Sequence, residues 1–177
     1  MSAYPVTPQA TTAPRRPGTL TAALVVTVLT AIASIVNGIL IATGGSDLIK
    51  DILTDSGLPA EALSDENLET AVVIAGYSSL DDFESTFAMR GYLALGAGIL
   101  LVVFALLARR AATSARALLT VAALLTMAFA GIIVADETTT TMAMLSLVTI
   151  LGAVLSIIFV WLPANGRFAK ATTSAAA

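Results

Sequence analysis

Four long apolar runs set the pattern of the chain. Residues 20–43 (LTAALVVTVLTAIASIVNGILIAT) carry no charge, and comparable runs occupy 87–108, 116–135 and 142–162. Each is close to the roughly 20 residues that a helix needs to cross the hydrocarbon core of a bilayer. In that medium the backbone must satisfy its own hydrogen bonds, and none of the runs has the alternating polarity of a barrel strand. The pattern predicts an all-α integral membrane protein, a four-transmembrane-helix bundle.

The stretch between the first two spans, 46–86, has a different pattern. SDLIKDILTDS places Leu48, Ile49, Ile52 and Leu53 on one helical face, with Ser46 as candidate N-cap and Gly57 as the stop. Pro59 belongs to the turn that follows. A second start is predicted at Ser64, with Asp65 and Glu66 in the first turn, where the helix dipole favours negative charge. Leu63 and Leu68 stand at the two positions of a hydrophobic staple. The helix then runs through Ala71, Val72 and Ala75 toward Gly76. Its AVVIAG portion is apolar on more than one face and also strand-compatible, which leaves burial against another subunit or a dip toward the membrane both open. Ser79 caps a third start, SLDDFESTF, with Asp82 at N3 and Phe83 at N4, so that the second span begins outside the bilayer. The expectation is a small acidic helical extracytoplasmic segment. Helices this short are marginal alone in water, so they require tertiary contacts or a partner.

Charge then gives the spans a direction. Seven of the nine Lys and Arg residues (Arg15, Arg16, Arg109, Arg110, Arg116, Arg167 and Lys170) flank what would be one side of the membrane. All twelve acidic residues lie on the other: ten in the insertion, then Asp136 and Glu137. The alternation of Lys and Arg predicts cytoplasmic N- and C-termini in a multi-pass protein of the inner (cytoplasmic) membrane. Arg90 is the one charge close to the interior of a span. Its place near the outer end assigns it to snorkelling, or to pairing with Glu84 or Asp82, rather than to deep transport. Trp161 is expected to sit at the inner interface with its N–H in the polar layer, and Pro163 to end the last run.

Composition narrows the chemistry. The chain has 177 residues, 57% hydrophobic and 12% charged, with a net charge of −3. A soluble domain carries about 25% charged residues. The acidic balance argues against a nucleic-acid surface. Cysteine and histidine are both absent, which removes disulfides, thiolate nucleophiles, the commonest metal ligand and the usual proton shuttle near neutrality. Residues 1–18 hold four prolines and the Arg15–Arg16 pair ahead of a run too long for a signal h-region, so a disordered cytoplasmic tail before a retained span is expected. Residues 163–177 form a second cytoplasmic tail.

The polar residues within the spans have structural roles available. Ser34 and Gly38, Ala94 and Gly98, and Gly152 and Ser156 have the small-xxx-small spacing of close helix contacts, inside a bundle or across a dimer. Asn37 is expected to be satisfied by a neighbouring helix. Thr27, Thr30, Thr120, Thr126 and Thr149 are expected to bond to their own helix backbones. The ten carboxylates of the insertion read as a solvated face with helix-end capping. Divalent-cation binding is the sharper alternative, but no EF-hand spacing is present. No catalytic, cofactor-binding or metal-ligating residue is assigned, and no cofactor is implied.

The proline- and tyrosine-bearing tail, the RRPGTLTAA approach to the first span, the four-span layout and the terminal WLPANGRF segment resemble a group of small uncharacterised actinobacterial four-span membrane proteins with a proline-rich N-terminal tail. The acidic insertion departs from the simpler members of that group, and the resemblance implies no activity. The sequence therefore favours a non-enzymatic accessory or interaction protein of a membrane or cell-envelope complex, with the lipid bilayer and a larger complex or a homo-oligomer as partners. A small oligomeric transporter or channel is the main alternative, and a lipid-modifying membrane enzyme the weaker one.

Overall fold

A computed structural model of the chain describes residues 15–110, 112–136 and 138–174, and among them it contains helices and turns but no strand. Helix α1 (Gly18–Thr43) leads into α2 (Gly45–Asp55), a 3₁₀ turn at Ala60–Leu63 and α3 (Leu68–Ile74). Then come α4 (Leu80–Leu107), α5 (Thr113–Ala135), α6 (Thr140–Val160) and α7 (Pro163–Ser174). Helices α1, α4, α5 and α6 are long and apolar enough to cross a membrane. The expected disordered tail falls, over residues 1–14, outside the described residues.

The four long helices form a ring in which α1 packs between α4 and α6, and α5 closes the other side against the same two helices. They alternate in direction. At one end, the Thr19 hydroxyl donates to Asn165 Oδ1 at 2.8 Å and Arg16 donates to the Arg109 carbonyl at 3.4 Å. At the other, the Thr140 N–H donates to the Asp55 carboxylate at 3.0 Å. These are called below the basic end and the cap end.

The bundle has small and hydroxylated residues inside and large aliphatic ones outside. Ala23, Thr27, Thr30, Ala31, Ser34 and Gly38 are buried along α1, whereas Val25, Leu29, Ile32 and Val36 of the same helix are exposed. In water this arrangement would be unstable. In lipid, an apolar outer surface costs nothing, and cohesion comes from close backbone packing and interhelical hydrogen bonds. The chain is therefore a multi-pass membrane protein. The predicted small-xxx-small pairs meet inside it: Ser34 donates to the Ala94 carbonyl at 2.9 Å, and Gly38 lies against Gly91 and Leu95. A Cβ on Gly152 would collide with the Thr30 hydroxyl of α1. Each expected threonine bonds to its own helix, with Thr27 donating to the Ala23 carbonyl at 2.7 Å.

The acidic insertion folds onto the cap end. The inner face of α2, Leu48, Ile49, Ile52 and Leu53, is buried with Leu63, Leu68, Val72, Phe83 and Phe87, and the same core continues into the bundle at Ile41, Ala94, Ile133 and Met142. Helices α2 and α3 end alike. Gly57 (φ 99°) and Gly76 (φ 96°) take the left-handed conformation. Leu58 N–H then returns to the Leu53 carbonyl at 3.0 Å, and Tyr77 N–H to Val72 at 3.2 Å. This double return satisfies carbonyls that a helix end leaves open. The predicted cap at Ser79 is present, its hydroxyl accepting from Asp82 N–H at 3.1 Å. Phe83 at N4 stacks on Phe87 with ring centres 4.6 Å apart.

Two predicted caps differ. Ser46 lies inside α2, which begins at Gly45 after the N-cap Gly44, so its hydroxyl has no capping role. Ser64 has an extended backbone, and its carbonyl accepts from Asn67 and Leu68 N–H, yet its side chain makes no cap bond. The turn at 65–67 takes up the first turn of the predicted helix, and α3 starts at Leu68. Residues 163–174, expected as a tail, carry α7, with Pro163 as its first residue. Proline is well suited to that position because its missing N–H would have no intrahelical partner there.

Candidate functional site

Helix α2 carries an acidic surface. Asp47, Asp51 and Asp55 recur every four residues and so share one side of the helix, opposite its buried apolar face. They line a groove of about 570 Å³ between α2 and the start of α6, with Thr139, Thr140 and Thr141 on the far wall and Leu40, Leu48 and Met142 at its base. Asp55 is engaged there, accepting from the Thr140 N–H at 3.0 Å and the Thr140 hydroxyl at 3.4 Å. A carboxylate at the first N–H groups of a helix is favoured by the helix dipole. The Thr139 hydroxyl accepts from Met142 N–H at 3.4 Å. Asp47 and Asp51 are exposed. The groove thus offers acceptor-only carboxylates beside hydroxyls, a surface suited to cationic groups. Among the described residues, no three acidic side chains converge closely enough to hold a metal ion.

Other charged contacts hold the cap in place. Lys50 reaches Asp65 at 2.5 Å, joining α2 to the turn before α3. The hydrogen bond from Lys50 holds the Asp65 carboxyl below the ordinary aspartate range, and the same bond raises Lys50 above the ordinary lysine range. Asp65 is exposed and Lys50 is half-buried at the surface, so solvent screens the pair and it orders the surface without contributing much stability. Glu69 accepts from Leu80 N–H at 3.1 Å, tying α3 to the start of α4.

Arg90 pairs with neither Glu84 nor Asp82. Its guanidinium lies 2.6 Å from the Asp136 carboxylate and 5.1 Å from the centre of the Phe87 ring. Glu84 and Asp82 lie about two turns before Arg90 on the same helix, which is as far as local spacing reaches. Folding instead brings the end of α5 beside α4, and a partner on a neighbouring helix is invisible to local spacing.

Within the bundle, Asn37 Nδ2 donates to the Ser146 hydroxyl at 2.9 Å, so a neighbouring helix does receive it. Its Oδ1 is buried with no hydrogen-bond partner in the structure. Apolar spacing on α1 identifies Asn37 as costly, but its partner is decided by how α6 is placed.

The basic end holds two residues whose environment the sequence did not reveal. Arg116, expected as a flanking charge, is 7% exposed, and its guanidinium lies 4.6 Å from the centre of the Trp161 ring. The Trp161 N–H donates to the Thr120 hydroxyl at 2.9 Å. Asn165 is fully buried, and its amide donates to the Phe159 carbonyl at 2.8 Å while its Oδ1 receives Thr19. It therefore ties α7 to both α6 and α1. The Pro163 helix-start signal could have exposed this role, because the break at Trp161–Leu162 turns α7 back toward α1.

Val73 and Ile74 are 51% and 75% exposed at the end of α3, although Ala71 and Val72 beside them are buried. The apolar surplus of AVVIAG thus becomes an uncovered tip on an acidic cap. Searches of family models, curated proteins and solved structures give no match to this chain.

Proposed function

We propose that this is a non-enzymatic interaction protein of the cytoplasmic membrane, which holds an acidic cap on the extracytoplasmic side for a cationic surface of an envelope or membrane complex. One observation carries the reading. The cap and the bundle share a continuous hydrophobic core, so the carboxylates of α2 and the Val73–Ile74 tip are held in fixed positions beside the membrane. A segment that only solvated a loop would need no such core. The insertion carries ten carboxylates against one lysine, which Asp65 engages, so its outward field is strongly negative. Complementary charge steers encounter, and apolar residues at the centre of a contact supply affinity. The orientation follows from the Lys and Arg asymmetry.

Photo-crosslinking in native membranes tests the reading. A photoreactive residue at Ile74 or Asp51 is expected to capture one stoichiometric partner, and Asp47→Asn with Asp51→Asn to reduce the yield. A probe at Leu151, on the lipid-facing side of α6, serves as control. Capture of lipid alone at Ile74, or equal yields at Ile74 and Leu151, rejects the proposal.

A further inference from the structure

The basic end contains a feature that the proposed function does not use. A trough of about 310 Å³ runs between α1 and α4, walled by Val25, Val28, Leu29 and Leu106, with Arg16 and Arg109 at its head. Val25, Leu29 and Leu106 are exposed on the outer surface of the bundle, so the trough opens toward lipid. Measured from Gly18, Val25 to Leu29 lie about 10–16 Å along the α1 axis at 1.5 Å per residue. That range reaches across most of one leaflet, whose apolar half-thickness is about 15 Å.

Arg16 crosses the seam between the helices by donating to the Arg109 carbonyl. One bond leaves most of its five donors for another acceptor. Arg109 stands beside it, and neither meets a carboxylate among the described residues. Among the described residues, every Asp and Glu lies toward the cap end. A second recess, lined by Arg15, Arg16 and Arg167, adjoins the first through Arg16. Arginines that line the same recess without a counter-charge raise the local positive potential and favour an anion there. Arginine matches phosphate oxygens with paired donors.

We infer that this end binds one anionic glycerophospholipid, with its phosphate between Arg16 and Arg109 and an acyl chain in the α1–α4 trough. The juxtaposition selects a lipid over a soluble phosphate because the arginines open directly onto an apolar channel aligned with the leaflet. Headgroup atoms beyond the phosphate extend into the recess bounded by Arg15 and Arg167. The inference is independent of the cap and of which side of the membrane it faces.

The test uses the full chain in nanodiscs of phosphatidylcholine doped with phosphatidylglycerol, with retained lipid counted by native mass spectrometry after release. One phosphatidylglycerol is expected to remain in preference to phosphatidylcholine. Arg16→Gln with Arg109→Gln should lower its retention about tenfold or more, given the attraction that each basic residue adds near an anionic surface. Val28→Trp, which fills the trough and leaves both arginines intact, should lower it comparably. Lys170→Gln removes one charge from the same end outside the trough and should lower retention clearly less than the arginine pair does, because the attraction of a charge away from the phosphate falls off within a Debye length. Loss with Lys170→Gln equal to that of the arginine pair would mean diffuse surface charge and overturn the site. Unchanged retention in Val28→Trp, or full displacement by inorganic phosphate, would mean an anion site without an acyl channel and overturn it too. Helical circular dichroism of each variant separates loss of lipid from loss of fold.

Discussion

Replacing Gly91 with Ala would test how the bundle coheres. Gly91 lies on α4 where it crosses α1, and a Cβ there would sit 2.6 Å from the Ala42 nitrogen and 2.8 Å from the Gly38 carbonyl oxygen. Both are backbone atoms of a 26-residue helix, which cannot rotate aside as a side chain can. Restoring ordinary contact near 3.4 Å requires the helices to part by about 0.8 Å along their seam. That displacement would also stretch the 2.9 Å bond from Ser34 to the Ala94 carbonyl. Overpacking of a close contact costs about 1–3 kcal/mol, and a weakened interhelical hydrogen bond adds about 0.6 kcal/mol. Gly96→Ala on the same helix is the control, because a Cβ there meets nothing within 4 Å. Reversible unfolding in bicelles or mixed micelles should show Gly91→Ala less stable by about 1.5–3.5 kcal/mol. Gly38→Ala should cost a similar amount, and the double substitution less than the sum, since both act on one seam. Equal stability of Gly91→Ala and Gly96→Ala would refute close backbone packing as the source of cohesion.

Loss of the Ser79 hydroxyl in Ser79→Ala should cost about 0.5–2 kcal/mol at the start of α4, seen as faster hydrogen exchange near Asp82, whereas Ser64→Ala should leave exchange nearly unchanged because that hydroxyl caps nothing. The Lys50–Asp65 tether has a predictable pH window. Because Asp65 is held below the ordinary aspartate value, its contribution is present above about pH 3.9 and is lost as pH falls through its lower folded pKa. Because Lys50 is raised, its part is present below about pH 10.4 and is lost as pH rises through its higher folded pKa. Exchange in the turn at 65–67 should therefore be flat, after correction for intrinsic rates, from about pH 5 to 9 and rise outside it; a step near neutrality would contradict the assignment. For orientation, single cysteines at Thr113 and Thr173 should be shielded from an impermeant thiol reagent in intact cells, and those at Ser56 and Thr139 labelled; labelling of Thr113 from outside would invert the proposed topology.

Much of this molecule follows from one-dimensional order. A run of about 20 apolar residues without charge has one stable solution in lipid, a helix satisfying its own backbone. That is why the spans were legible before any contact was known. The ends of α2 and α3 at Gly57 and Gly76, and the cap at Ser79, were legible for a similar reason: each depends on residues within one or two turns. Ser64 shows where local reasoning stops. Its sequence context suits a cap, but the chain satisfies the first N–H groups through the Ser64 carbonyl and delays the helix to Leu68, whose burial against α2 and α4 outweighs a surface hydroxyl. The pairing of Arg90 with Asp136, the pairing of Asn37 with Ser146, the stacking of Arg116 on Trp161 and the bond from Thr19 to Asn165 were all decided by tertiary structure. So were the groove beneath Asp47 and Asp51 and the trough headed by Arg16 and Arg109. Composition and period specify which residues must leave water or lipid, but not which helix they meet. In a bundle held by Gly, Ala and Ser, that choice rests on where two backbones can approach most closely, and only the folded structure contains that distance.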